Sequence, residues 1–370
     1  MLKKLSLFIA GGICVALVGM AAASMANSNG EQTAQGDVHE VFLGPSNIDE
    51  VYFVGSDDGA NIDSLVWNWK AGRYDFRRMR TDGSLSPATD SGLAEAGHQT
   101  RGLASAVDES GREWVALGTH FGYLSGGHFV DVPLASPRRR TPSTVLSVRA
   151  DNREAWTSSP VTSIASDGRG AVWVSRDFVP ALLRVDANTG VQSEVEVPGM
   201  SGVPGYLHET RDGLYMSSYR RAQQTDPVRR YLYDPSKEAA HVVAPSGYIA
   251  NVGANGISVV DPEAPVSVTR MSAGLSDTIV LPEMADDPRA IIASSPDGGY
   301  WYAATSPMQI MFFNPASGRK KAFQLPYEDV GASEPGTTPW PNILSEYIDA
   351  EGRLWLSYAH GYVHVVCLTP

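Results

Sequence analysis

Three stretches of the chain repeat one phrase: "VDESGREWVAL" (Val107–Leu117), "SDGRGAVWVS" (Ser166–Ser175) and "IDAEGRLWLS" (Ile348–Ser357). Each has an Asp, a polar turn containing Gly, and an apolar run through Trp. A catalytic motif appears once or twice in a chain. A phrase that returns every few dozen residues marks a structural unit stacked on copies of itself. Aligned on the aromatic, the phrase gives Tyr52, Trp114, Trp173, Tyr215, Trp301 and Trp355, and Ile257 fills the slot in the degenerate copy "ANVGANGISVVD". The spacings are 62, 59, 42, 42, 44 and 54 residues. Units of that length built of short strands are propeller blades, so seven slots predict an all-β, seven-bladed β-propeller of four-stranded blades.

One unit shows the pattern in full. A first strand "VTSIAS" meets the turn "DGRG" and a second strand "AVWVS"; "ALLRVDANTG" and "VQSEVEVPG" supply the third and fourth. The third-strand turn recurs as "YLYDPSKEA" and "MFFNPASGRK", where Asp or Asn beside Pro or Gly presets the turn dihedrals. The Gly three residues before each Trp (Gly111, Gly170, Gly298, Gly352) is expected at positive φ. The Trp itself is expected to pack between neighbouring blades. Beyond residue 30 the one helix-like stretch is "SGLAEAG", residues 91–97. The last unit ends after its third strand, "GYVHVVCL", so "GDVHEVFL" (Gly36–Leu43) is expected to complete that blade and close the ring.

The N-terminus reads as an export signal. Lys3 and Lys4 precede an apolar run, and "SMA" before Asn27 suits a small-residue cleavage site. The expected organisation is a signal peptide at 1–26, a linker at 27–37 and a propeller at 38–370, in a periplasmic or secreted protein. A retained apolar run would instead anchor the chain to a membrane. Cleavage removes Cys14 and leaves Cys367 alone, which excludes an intrachain disulfide in the mature chain. The net charge of −12 argues against nucleic acid as a partner. The clusters Arg77, Arg78, Arg80 and Arg138–Arg140 read as solvated loops.

"IASDGRGAVWVSRD", "LLRVDANTGVQSEVEVPG", "SSPDGGYWYAATS" and "IMFFNPASGRKKAFQLP" resemble the repeats of streptogramin lyase-like propellers and of two-component sensor ectodomains. The resemblance spans about residues 38–370. It implies seven blades and, for the lyases, a magnesium ion near the central channel with a catalytic His and a nearby Glu.

First strands line a propeller's axis, which makes His208, Glu209, Asn251 and Glu346 the candidate channel residues. His208, Glu209 and Glu346 are the candidates for acid–base or metal chemistry. Asn251, with the rim aromatics Trp340 and Tyr219, is a candidate for ligand binding. The other first-strand phrases, "LASAVD", "VTSIAS", "YIANVG", "AIIASS" and "ILSEYID", carry no His. His120 and His128, like His360 and His364, lack zinc-site spacing and read as exposed turn histidines. "SDDGANIDS" (residues 56–64) reads as a polar loop, and Ser317 and Lys320 fall in a hairpin turn. No G-x-S-x-G, H-E-x-x-H, CxxC or phosphate-binding Gly loop occurs. The expectation is a non-enzymatic module binding a protein or small ligand. The alternatives are a metal-dependent lyase or lactonase using magnesium in the channel, and a sensor or scaffold subunit for a membrane partner.

Overall fold

The computed structural model describes residues 34–44, 48–56, 61–94, 103–138, 160–177, 179–200, 203–210, 213–219, 230–242, 248–253, 256–261, 264–272, 275–284, 291–305, 308–326, 342–360 and 362–370. The chain divides into two units, Met1–Gln35 and Gly36–Pro370. In the first, the described part is strand β1, Ala34–Gln35.

The second unit is all β. After β2 (Val38–Leu43) comes a first sheet of β3 (Ile48–Gly55), β4 (Asn61–Asn68), β5 (Arg73–Arg80) and β6 (Thr89–Asp90). The second has β7 (Ala104–Val107), β8 (Glu113–Leu117), β9 (His120–Ser125) and β10 (His128–Asp131). The third has β11 (Val161–Ser166), β12 (Ala171–Arg176), β13 (Leu182–Asp186) and β14 (Gln192–Val195). The fourth has β15 (Val203–Thr210), β16 (Gly213–Tyr219), β17 (Arg230–Asp234) and β18 (Ala239–Val242). The fifth has β19 (Tyr248–Gly253), β20 (Gly256–Asp261), β21 (Ala264–Ser272) and β22 (Leu275–Val280). The sixth has β23 (Ile291–Ser294), β24 (Tyr300–Ala303), β25 (Gln309–Phe313) and β26 (Lys320–Gln324). The seventh has β27 (Asn342–Ile348), β28 (Leu354–His360) and β29 (Tyr362–Leu368).

Each sheet is an antiparallel meander of consecutive strands. The seventh departs from this in one respect: its fourth strand is β2, which pairs with β29 from Val38 opposite Leu368 to Leu43 opposite His364. The segment expected to complete the last blade does so. First strands neighbour one another in sequence, β3 with β7, β7 with β11, and onward to β27, which lies beside β3.

Hydroxyls tie these first strands together at a fixed offset. Ser163 Oγ accepts from Leu207 N at 3.1 Å. Ser345 Oγ accepts from Phe53 N at 3.1 Å. Both serines stand four residues before the motif Asp, and each holds the first strand of the following sheet. Ser357, two residues after Trp355, donates to Val51 O at 2.7 Å and adds a further bond between the seventh and first sheets.

The repeated phrase is a hydrogen-bonded hairpin. In Asp108 one carboxylate oxygen accepts from the backbone N–H of Ser110 and Arg112, and the other accepts from Trp114 Nε1 at 2.9 Å. Asp167 does the same with Arg169, Ala171 and Trp173, and Asp349 with Glu351, Arg353 and Trp355. Gly111, Gly170, Gly298 and Gly352 have φ of 81, 86, 85 and 77°, as the turn requires. In the sixth sheet Ser295 stands where the others have Asp, and Trp301 Nε1 has no hydrogen-bond partner among the described residues.

Each Trp is buried against the following sheet. Trp114 clusters with Val161, Ile164, Val172 and Val174. The Trp173 ring meets Tyr233 edge-on at 5.7 Å, Trp301 clusters with Leu354, Leu356 and Tyr358, and Trp355 clusters with Val51, Ile62, Val66 and Met79. Removing so large a buried ring costs about 3–5 kcal/mol, so this aromatic set is a main source of cohesion between sheets.

Five expectations need correction. Tyr52 lies on the first strand β3, opposite Leu65 of β4, because the first unit's hairpin is longer than the aromatic alignment assumed. Arg77, Arg78 and Arg80 lie on β5 rather than in a loop, and Arg78 forms a two-pronged pair with buried Asp63 at 2.7 and 2.6 Å. Residues 61–64 of the presumed polar loop begin strand β4. Ser91–Ala94, the described part of the helix-like stretch, is irregular, because Ser91 is tied to Tyr74 O by its backbone N–H and its hydroxyl. His364 is buried and bonded to Glu40, not exposed.

Candidate functional site

The first strands β7, β11, β15 and β27 border a cavity of about 630 Å³. Its walls carry Ser105, Thr162, Ser163, Tyr206, His208 and Glu346, with Leu103, Ala104, Ile164 and Leu207 between them. The volume is that of a small-ligand site, and the wall mixes polar with apolar side chains. Among the described wall residues there is no Lys, Arg or Cys.

His208 and Glu346 reach this cavity from different sheets. Both side chains are open to the cavity but ringed by protein. That limited hydration disfavours charge on each. Burial lowers the His208 imidazole to about 4, so it is neutral at ordinary pH. Burial raises the Glu346 carboxyl above the usual carboxylate range, against a smaller opposing contribution from its own backbone N–H. The His208 ring lies 6.3 Å from that of Tyr215, its cross-strand neighbour on β16.

Glu209 does not join them. It lies instead on a separate cavity of about 140 Å³ with Asp167, Arg169 and Thr210. There burial, and then the charge of Asp167, raise its carboxyl. The sequence-based trio therefore splits, because consecutive residues of a strand face opposite sides. Asn251 lies on β19 opposite Ser258, and Tyr219 ends β16 opposite Val203. Their side chains, and all of Trp340, lie outside the described residues.

Sequence reasoning missed Tyr206, 61 % exposed at this cavity, and Thr162, whose hydroxyl has no partner among the described residues. Tyr206 stands two residues before His208, where strand alternation puts it on the same side, and it borders the register irregularity between Pro204 and Leu207. The "YLHE" aromatic directly upstream of His208 was the available signal.

A magnesium centre of the kind the resemblance implied does not fit these residues. Among the described residues no group of three or more His, Cys, Asp or Glu is placed to hold a metal ion. One carboxylate and one imidazole make a sparse donor set for a hard cation.

Seven antiparallel sheets whose first strands lie side by side define the chain as an all-β fold of the propeller type. No protein-family model and no curated protein matches it. In fold it is similar to virginiamycin B lyase from Staphylococcus aureus, with a TM-score of 0.56 and 13% identity over 90% of this chain and 99% of that one. It is also similar to the WD40 repeats of RRP9, at 0.52 and 11% over 91% and 98% of the two chains. YCF48 bound to a D1 peptide gives 0.51 and 11% over 92% and 96%. At such identities the likeness establishes the fold alone. That fold is shared with lyase and WD40 propellers alike and assigns the chain to neither family.

Proposed function

We propose that the chain is an exported, closed seven-bladed β-propeller that binds a small ligand or a protein segment without transforming it. The cavity bordered by Tyr206, His208 and Glu346 carries this reading, because it combines small-ligand volume with polar side chains brought together from several sheets. Its serines are engaged in holding the fold: Ser105 donates to Phe53 O, and Ser163 exchanges bonds with the backbone of Leu207. Neither is set up as a nucleophile. The absence of a three-residue ligand set among the described residues weighs against the metal-dependent lyase. YCF48, a protein of similar fold, is seen with a peptide bound, which supports a binding role for the architecture.

Closure of the ring is supported by the neighbouring of β27 and β3 and by the pairing of β2 with β29. Export to the periplasm or medium rests on the N-terminal sequence, and the mass of the purified native protein tests it: loss of the first 26 residues is expected.

The binding reading is tested by a small-fragment screen on the full chain beside Thr162→Trp. The Thr162 hydroxyl bonds to no described residue, so this variant fills the cavity while sacrificing little. Hits are expected to raise the melting midpoint of the native chain and not that of the variant. Equal shifts in both would remove the cavity as the binding site.

A further inference from the structure

We propose that the ligand of this cavity carries an organic ammonium group on an apolar body, with the Glu346 carboxylate and the Tyr206 ring as its two holding points. The inference rests on the binding reading above and adds the chemical class of ligand.

The wall chemistry selects among ligands. An anion would meet Glu346 with no Lys or Arg among the described wall residues to receive it. A divalent metal would need more oxygen or nitrogen donors than the described residues bring together. A neutral molecule would leave the Glu346 carboxyl as it stands, with its own backbone N–H as its one polar contact among the described residues. Glu346 is the one carboxylate on the described wall and forms no ion pair with a described residue, so it stands as one half of an ion pair. An incoming cation supplies the missing half.

The remaining groups suit an ammonium on an apolar body. Tyr206 presents an exposed aromatic face, which attracts a cation within about 6 Å of its centroid. His208, neutral and making no hydrogen bond to a described residue, adds an acceptor without adding repulsive charge. Leu103, Ile164 and Leu207 provide the apolar bed. The protein's net charge of −12 also favours the approach of cations.

The test is calorimetry on the full chain with three probes of matched shape: 2-phenylethylamine, 2-phenylethanol and phenylacetate. The amine is expected to bind roughly tenfold or more tightly than the alcohol, and phenylacetate not to bind. Glu346→Gln is expected to weaken the amine roughly 30-fold or more, with Glu346→Asp retaining part of the affinity and Tyr206→Ala losing part of it. If the alcohol or the acid binds as well as the amine, and Tyr206→Ala weakens that binding, the cation proposal fails while the cavity remains a binding site. Absence of binding by all three probes overturns the proposal and counts against the cavity itself.

Discussion

Glu40 Oε1 and His364 Nδ1 lie 2.6 Å apart although 324 positions separate them in the chain. The imidazole is also stacked on Tyr358, 5.0 Å away with the rings 8° from parallel. This contact joins β2 to β29 and fastens the seventh sheet. Deleting Val38–Leu43 should lower stability well beyond that one bond, since buried Val41 and Phe42 each contribute about 1.5–3 kcal/mol. Denaturant unfolding should show an earlier midpoint. An unchanged curve would mean that β2 does not complete the sheet in solution. Glu40→Ala alone should cost about 1–3 kcal/mol by stranding the buried imidazole.

The Asp turns are expected to behave as structural keystones. Asp349 accepts from two backbone N–H groups, from Arg353 Nε at 2.7 Å and from Trp355 Nε1 at 3.0 Å. Its replacement by Ala leaves several of these donors without a partner in a buried setting, at about 3 kcal/mol or more. Asp186, which caps an exposed turn, should lose less on the same change. Equal losses at the two sites would contradict the assignment of the Asp–Trp bond as the important difference.

Gly111 and Gly352 separate two costs of adding a methyl group. A Cβ at Gly111 meets nothing within 4 Å, so Gly111→Ala should cost only the backbone strain of φ +81°, about 1 kcal/mol. At Gly352 the same atom comes 2.7 Å from Ser295 Oγ of the preceding sheet. Gly352→Ala should be the more destabilising in thermal melts, and a reversed order would refute the packing of these sheets.

Acid should expose His208. Its folded-state value is pushed down by burial from 6.5 to about 4. Between those values the unfolded chain binds the proton and the folded chain does not, so this group's stability is full above 6.5 and lost as pH falls toward 4. Glu346 acts with the opposite sign: its raised value makes its contribution fade as pH rises above the ordinary 4.5. His208→Asn should flatten the decline in melting midpoint between pH 6.5 and 4 relative to the native chain. An identical pH profile would show that the imidazole is as hydrated in the fold as out of it.

The hairpin phrase made the fold legible because one Asp does two jobs six residues from its Trp, and that offset survives in the letters. The serine braces were also written at a fixed offset, four before the Asp, yet a Ser in a strand is too common to stand out unaided. Half of the candidate site was legible. His208 and Glu346 were found from the first-strand rule, but the companion of His208 was misassigned. Glu209 sits on the next residue of the same strand and so faces away, a period-two fact that needs the register. Tyr206, two residues before His208, follows from the same alternation, whereas the irregularity before Leu207 has no signature in sequence, since it depends on how β15 bends against β16.

The β2–β29 pairing also sets an order of events during synthesis. Residue 38 leaves the ribosome more than three hundred residues before its partner Leu368. No nascent fragment that stops short of β29 can make this pairing, and until then β2 waits with its apolar residues uncovered. Contacts this remote in sequence also slow the final step. Premature termination anywhere upstream of β29 therefore leaves β2 without its partner strand, and a free strand of this kind is prone to pair with another copy of itself.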